Sequence, residues 1–429
     1  MKARSLASCW LLLAVLPPFT ACSREREAAA AERPPATHAA GSAPRVDVAL
    51  APFREQLLKL AFRAASAFPL EPHRKNRSRI QGIVVAACFE LDQPELAVAF
   101  ARDITDWRRG CGYADYAHAR ALRGDARTAL DYIRLAGEII EQEQHASYSQ
   151  EWQIDSIRQK IARAYETLGD EVHAAEAVAH VDAASGNAVD TDWAKTAADH
   201  VRLLPAAKVD DELAAMDAAF PQMSIGQQQV ALETLARLHG RFFDDLARRT
   251  KIEERVTTVY TRLPPAMRLD ALRKLARTCI EHHENGSALR LLGTAREIAS
   301  AHTWRAEDQV PELAKLAAVR HEAGEADQAA ADVAAALALY HAERDHIVDI
   351  YRAETVRAIA EAVHSMGDDK AAVDLCALAI EEGMHNANSR PRAEDLVETC
   401  VAMAVRGIEP SPELWQRLRE ICEGLGDPW

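Results

Sequence analysis

The chain has 429 residues, more than a single hydrophobic core usually serves, so it must either divide into domains or extend as repeats. Hydrophobic residues make up 48% and aromatics only 6%, and the alanine-rich remainder favours helices over strands. With 51 basic and 65 acidic residues the formal charge is −14, which repels nucleic-acid and lipid phosphates and argues against nucleic acid as a partner.

At the N-terminus Lys2 and Arg4 precede a compact apolar run from Leu6 to Leu16. The run is too short to span a bilayer comfortably and suits a signal-peptide core, so residues 1–21 are predicted to be removed on export. Phe19, Thr20, Ala21 and Cys22 follow. Small residues before a cysteine resemble a bacterial lipobox, although Phe19 stands where an aliphatic residue is usual. The resemblance implies a lipid on Cys22. Ser23, in place of Asp, implies the outer membrane, with the protein facing the periplasm. On this reading the membrane is met only through the lipid anchor. The alternative is ordinary cleavage near Ala28–Ala31, giving a soluble periplasmic or secreted product. Residues 22–48 are rich in Ala, Pro, Arg and Glu without an apolar stripe, and read as a disordered tether.

Residues 49–429 are predicted to form one α-helical repeat domain. The basic cluster His73, Arg74, Lys75, Arg77 and Arg79 is expected in a solvated loop between helices. A weak unit follows around Val85, Cys88, Asp92 and Ala97. Five segments then share one spacing: a large apolar residue, Ala, a Gly slot, a second Ala, an apolar residue and a final small apolar position. The first is Tyr116, Ala117, Gly124, Ala129, Ile133 and Ala136. The second is Ile161, Ala162, Gly169, Ala174, Val178 and Val181. The third, Leu275, Ala276, His283, Ala288, Leu292 and Ala295, has His in the Gly slot. The fourth is Leu316, Ala317, Gly324, Ala329, Val333 and Ala336, and the fifth Ile359, Ala360, Gly367, Ala372, Cys376 and Ala379. Gly ends one helix in a left-handed turn, the next helix begins with residues such as Asp125 or Asp170, and the alanines let the two helices cross closely. One hairpin cannot bury its own apolar face, so stacking of hairpins into a solenoid is expected.

This spacing resembles the tetratricopeptide repeat, and Tyr165 stands four residues before Gly169 as that family's tyrosine does. The other units lack the aromatic, and none has the family's closing proline. Ala288 to Ala329 spans 41 residues and Ala329 to Ala372 spans 43, against about 34 in the family. The fold class is therefore all-α, a solenoid of stacked antiparallel hairpins with irregular, lengthened repeats; a HEAT-like solenoid is the structural alternative. Arg202 to Phe220 and Gln227 to Arg249 read as helices that do not align with the spacing. Pro264 and Pro265 mark a break, and the stretch from Pro391 to Gly424 reads as two further helices that cap the repeats.

No phosphate-cradling loop, GxSxG, HExxH or CxxC occurs in the sequence. Cys279, His282 and His283 are the best metal candidate, since Cys279 and His283 share a helical face. Cys279 nevertheless occupies a core slot and a third ligand is missing, so no metal site is predicted. Six cysteines remain after Cys9 and Cys22, and they are expected as buried thiols, with Cys376 and Cys400 placed to pair if any do. No catalytic residue, cofactor or enzymatic activity is predicted.

The expected function is a non-catalytic protein-interaction scaffold, or an assembly accessory, in the bacterial cell envelope. The alternative is an envelope hydrolase with an unrecognised site on a helical superstructure. The tetratricopeptide resemblance implies that first helices line a groove for a protein or peptide partner. Outward positions on them are His118, Gln159, Arg163, Glu166, Arg273, Arg277, His321, Arg357, Glu361 and His364. Arg273, Arg277 and Arg357 would favour an acidic peptide.

Overall fold

The computed structural model describes residues 49–146, 149–179, 181, 198, 201, 204–260 and 262–429. The signal peptide, Cys22 and the tether lie outside the described residues, as does Arg202. Among the described residues there are eighteen α-helices and no strand, so the chain is all-α.

A single helix, α1 (Pro52–Ser66), comes first. Three hairpins follow: α2 (Leu70–Glu90) with α3 (Pro94–Ala101), α4 (Arg108–Leu122) with α5 (Ala126–Gln144), and α6 (Glu151–Leu168) with α7 (Glu171–Val178). Then come α8 (Val209–Ala219) and four more hairpins. These are α9 (Ile225–Arg241) with α10 (Leu246–Glu254), α11 (Pro265–Glu281) with α12 (Asn285–Ser300), α13 (Ala306–Glu322) with α14 (Ala326–Glu343), and α15 (Asp349–Ser365) with α16 (Asp369–Met384). The chain finishes with α17 (Ser389–Arg406) and α18 (Pro412–Glu423).

The turns are built as their residues require. Gly124, Gly169, Gly324 and Gly367 have φ of +78°, +78°, +99° and +88°, the left-handed region that glycine enters without strain. His283 takes the same slot at +61° and Asp92 at +57°, so both units share the turn without sharing the glycine. The next residue caps the second helix: Asp125, Asp170 and Asp368 each accept a hydrogen bond from the backbone N–H three residues on. Four residues after the cap position stand Ala97, Ala129, Ala174, Ala288, Ala329 and Ala372, all buried where the two helices cross. First helices of 17 residues, as in α11, α13 and α15, account for the long repeat spacing.

The hairpin of α9 and α10 escapes the spacing for two reasons. Its turn is one residue longer, from Leu235–Ala236 to the capping Asp245, and contains no left-handed residue. Arg249 also stands where the other units have alanine. The expected helix from Gln227 to Arg249 is therefore two helices.

First helices lie side by side. In one row α9 contacts α11, α11 contacts α13, and α13 contacts α15; in another α2 contacts α4 and α4 contacts α6. The helix α17 joins the two rows, touching α15 on one side and α2 on the other. Its partner is α1, from the other end of the chain. Arg54 at the start of α1 lies against Gly407 just past the end of α17. Phe68, just past the end of α1, meets Trp429 with ring centroids 5.0 Å apart. The carbonyl of Pro428 accepts a hydrogen bond of 2.8 Å from the N–H of Ser389, where α17 begins. So α1 runs antiparallel to α17 and takes the place of a second helix. Leu57, Leu58, Ala61, Ala64 and Ala65 are fully buried in one core with Leu396, Cys400 and Met403.

Two expectations change. The stretch from Pro391 to Gly424 does not cap a free end, because α17 carries α1 and α2. The basic cluster at 73–79 is inside α2 and is no loop: Arg74 donates to the Thr105 carbonyl, Arg77 to the Phe68 carbonyl and Arg79 to Glu394. Arg74 and Arg77 satisfy carbonyls at chain turns that a row of helices leaves open.

Candidate functional site

Side chains one or two before and two after the repeat's large apolar residue lie between neighbouring first helices. There they form pairs between adjacent first helices of a row. Arg273 on α11 donates to Glu312 on α13, and Arg277 to Glu322 at 3.2 Å. Arg357 on α15 donates to Glu398 on α17 at 2.5 Å. Glu361 accepts from Arg406 at 2.9 Å. In the other row Lys160 on α6 meets Asp115 on α4 at 2.9 Å, and Arg163 meets His118 Nδ1 at 3.0 Å. Such pairs satisfy buried charge and set the register of adjacent helices.

This ladder changes the meaning of the expected groove residues. Only Arg277 among the ten is exposed; His118, Arg273 and Arg357 are buried, and the others are half-buried. His118, Gln159, Arg163 and Glu166 belong to α4 and α6, away from the rest in the chain and in the row. Arg273, Arg277, Arg357 and Glu361 come together at one concavity of about 320 Å³ over α11, α13 and α15. His321 and His364 stand near the C-terminal ends of α13 and α15 and do not line it. His364 faces Asp369 at 2.8 Å and the Arg406 carbonyl at 3.0 Å. Pro311, Ala318, Ala358 and Ala362 also line the concavity, beside Lys315 and Glu354. The three arginines expected to attract an acidic peptide each already face a glutamate, so their charge is compensated within the fold.

A second concavity of about 480 Å³ adjoins the first and shares Glu354 with it. It lies between α15, α17, the start of α2 and Trp429, and its lining includes Ile350, Tyr351, Glu394, Asp395 and Glu398. Burial holds the Asp395 carboxyl up at about 7, with Glu398, Glu394 and Glu354 raising it further and Arg357 opposing. Glu398 is also raised, again chiefly by burial. Carboxylates are frequent along the whole chain, so nothing local in the sequence distinguishes these; their placement depends on α15 and α17 lying together.

The structure also gathers a donor set that local spacing did not. His239 from α9, Glu253 from α10 and Cys279 from α11 place their donor atoms within 4.8 Å of one another, all buried. The expected companions are elsewhere: His282 stacks on Phe243 and exposed His283 holds the left-handed turn. His239 Nε2 lies 3.2 Å from Glu253 Oε1, and Arg290 donates to Glu253 Oε2 at 2.6 Å. Arg249 is 3.9 Å from the same carboxylate. Burial pushes the Cys279 thiol up to about 11. His239, Glu253 and Cys279 are the residues that could hold a metal, but two guanidiniums and a protonated thiol favour a charge-paired core cluster instead.

The six described cysteines are buried, and no disulfide occurs among the described residues. Burial pushes the Cys88 and Cys376 thiols up to about 12 and that of Cys400 higher still. No helix among the described residues is long and apolar enough to cross a membrane. A scan against models of known protein families finds no match, and a search of curated proteins finds none.

Proposed function

We propose that this chain is a non-catalytic interaction scaffold of the bacterial cell envelope, a tetratricopeptide-like solenoid exported by its signal peptide and tethered through a lipid on Cys22. A partner polypeptide docks along the face formed by α11, α13, α15 and α17. The observation that carries the reading is the pair of adjoining concavities, of about 320 and 480 Å³, that run across four consecutive first helices. A cleft continuous over several helices suits an extended segment better than a compact small molecule. The lining supports the same reading. Small residues, Ala318, Ala358 and Ala362, leave room along the floor, while charged side chains at the rim are held by pairs between adjacent helices. Held side chains lose little further freedom on binding. The thiols of Cys88, Cys279 and Cys376 are buried and protonated at neutral pH, which supports a non-catalytic role for them.

The test is crosslinking of the native protein in envelope preparations, followed by mass spectrometry. Crosslinks from a partner to Lys315 and to neighbours of Arg277 are expected, and they should disappear in Ala358→Trp, which fills the floor. Partners captured equally by that variant, or crosslinked only to the second helices, overturn the reading. A Cys22→Ala form that still fractionates with membranes overturns the lipid tether.

A further inference from the structure

The larger concavity has an imbalance that the ladder elsewhere does not. Glu394 faces Arg79 at 2.7 Å and Arg390 at 3.3 Å, and Glu398 faces Arg357 at 2.5 Å. Among the described residues Glu354 pairs with no cation, although it lines both concavities. Asp395 is only 7% exposed, yet its Oδ2 is buried without a hydrogen-bond partner. Gly383 on α16 lies against that oxygen, so closely that an added Cβ would fall 2.8 Å from it, and it has no side chain to supply a donor. A buried carboxylate oxygen without a donor is unfavourable, and an amide or apolar side chain would serve packing better. The same wall leaves large apolar groups in water: Ile350 is 49% exposed and Tyr351 39%. Acid without a counter-ion beside apolar surface without cover describes the complement of a cation on an apolar neighbour.

We propose that this cavity receives a basic side chain of a partner polypeptide, a lysine or arginine inserted between Glu354 and Asp395, with an adjacent apolar residue of the partner laid on Ile350 and Tyr351. This rests on the docking reading above and narrows the partner to one that presents a basic residue beside an apolar one. The face thus selects the opposite charge to the one its arginines alone suggest. The cation pairs with the Asp395 carboxyl from the cavity side, while Oδ2 stays against Gly383, and it neutralises exposed Glu354 through a charge-assisted contact. The charged groups around Asp395 are Glu354 and Arg357 from α15 and Glu394 and Glu398 from its own helix; Arg79 from α2 pairs with Glu394, and His73 from α2 and Arg390 from α17 line the same concavity. From α16 Gly383 faces it, and the α1 cations Arg54 and Arg63 lie instead against Gly407 and Cys422. The ligand cation therefore competes with Arg357 and with a proton for the same carboxyl, and binding strengthens from pH 6 to pH 8.

The test uses the full chain and two probes, acetyl-Leu-Arg-amide and the isosteric acetyl-Leu-citrulline-amide, titrated by calorimetry and by the fluorescence of Trp429, which lines the cavity. The arginine probe is expected to bind and the citrulline probe to bind at least about tenfold more weakly. Glu354→Gln and Asp395→Asn should each weaken the arginine probe about tenfold, more at pH 8 than at pH 6. Asp395→Asn removes an unfavourable buried charge and keeps the side-chain shape, so it folds; circular dichroism checks this. Equal binding of the two probes, or unchanged affinity in both folded variants, overturns the proposal. Failure of the arginine probe to bind overturns it too. Calcium chloride alone binding with the same dependence on Glu354 and Asp395, while the arginine probe does not bind, makes the cavity a cation site of another kind and ends the proposal. If the arginine probe binds as expected while crosslinks place the partner elsewhere, the docking reading fails and the pocket stands.

Discussion

The guanidinium of Arg79 lies 2.7 Å from the carboxylate of Glu394, 315 residues further along the chain. The pair itself is half-exposed and contributes at most about 1 kcal/mol. Its meaning is topological. It sits where α2 meets α17, beside the seam at which α1 completes the last hairpin from the other end of the chain.

Stability at that seam comes from apolar burial. Leu58 on α1 is fully buried in the core that includes Leu396 and Met403. Leu58→Ala is expected to lower unfolding free energy by about 3 kcal/mol, read from urea denaturation. Leu130, half exposed on α5, is the control: Leu130→Ala should change stability by less than about 0.5 kcal/mol. Equal effects of the two would mean that the ends of the chain do not meet.

The turn slot offers a stabilising substitution. His283 has φ of +61° where four other repeats use glycine. His283→Gly removes that strain and is expected to stabilise by about 0.5–1 kcal/mol after allowance for glycine's larger unfolded-state entropy. Gly367→Ala is its mirror. No atom lies within 4 Å of the added Cβ, so the expected loss of about 1 kcal/mol is backbone strain alone. Thermal melts of the two variants should move in opposite directions.

Asp395 makes stability depend on pH with a defined sign. Its carboxyl titrates near 7 in the folded chain and near 4 when unfolded. A raised carboxyl favours the folded state fully below the unfolded value, and that contribution is lost as pH rises through about 4 to 7. The whole effect is at most about 4 kcal/mol. Asp395→Asn should therefore match the parent chain at pH 4 and exceed it in stability at pH 8. A gap between the two that does not widen over this window would refute the assignment.

The thiols should be silent in the folded chain. Cys88, Cys279 and Cys376 are buried, with titration pushed up to about 11 or 12. At pH 8 iodoacetamide should modify them only through unfolding, so that labelling and unfolding rates agree. Rapid labelling of Cys279 in particular would show that the cluster with His239 and Glu253 is open to solvent.

The hairpins were legible because each is specified locally: a left-handed turn, a cap and a small residue fall within a few positions of one another. The hairpin of α9 and α10 was not, since its turn has an extra residue and Arg249 replaces the alanine. The groove residues were legible as a periodic face but not in their role. Positions two before and after the repeat's apolar residue point along the row, so Arg273, Arg277 and Arg357 meet glutamates of the next unit. Asp395 carried no local mark, because its burial arises from α15, α16 and α17 together.

By itself the sequence determined the helical class, the turns at Gly124, Gly169, Gly324 and Gly367, and the alanine crossings, all of which depend on residues close in the chain. Tertiary structure alone decided that α1 packs on α17, that the arginines of the groove are compensated, and that among the described residues Glu354 and Asp395 form no ion pair. Those outcomes depend on which helices become neighbours. A charge at a helix surface has the same sequence whether its neighbour is water, a glutamate 41 residues away or a helix from the far end of the chain.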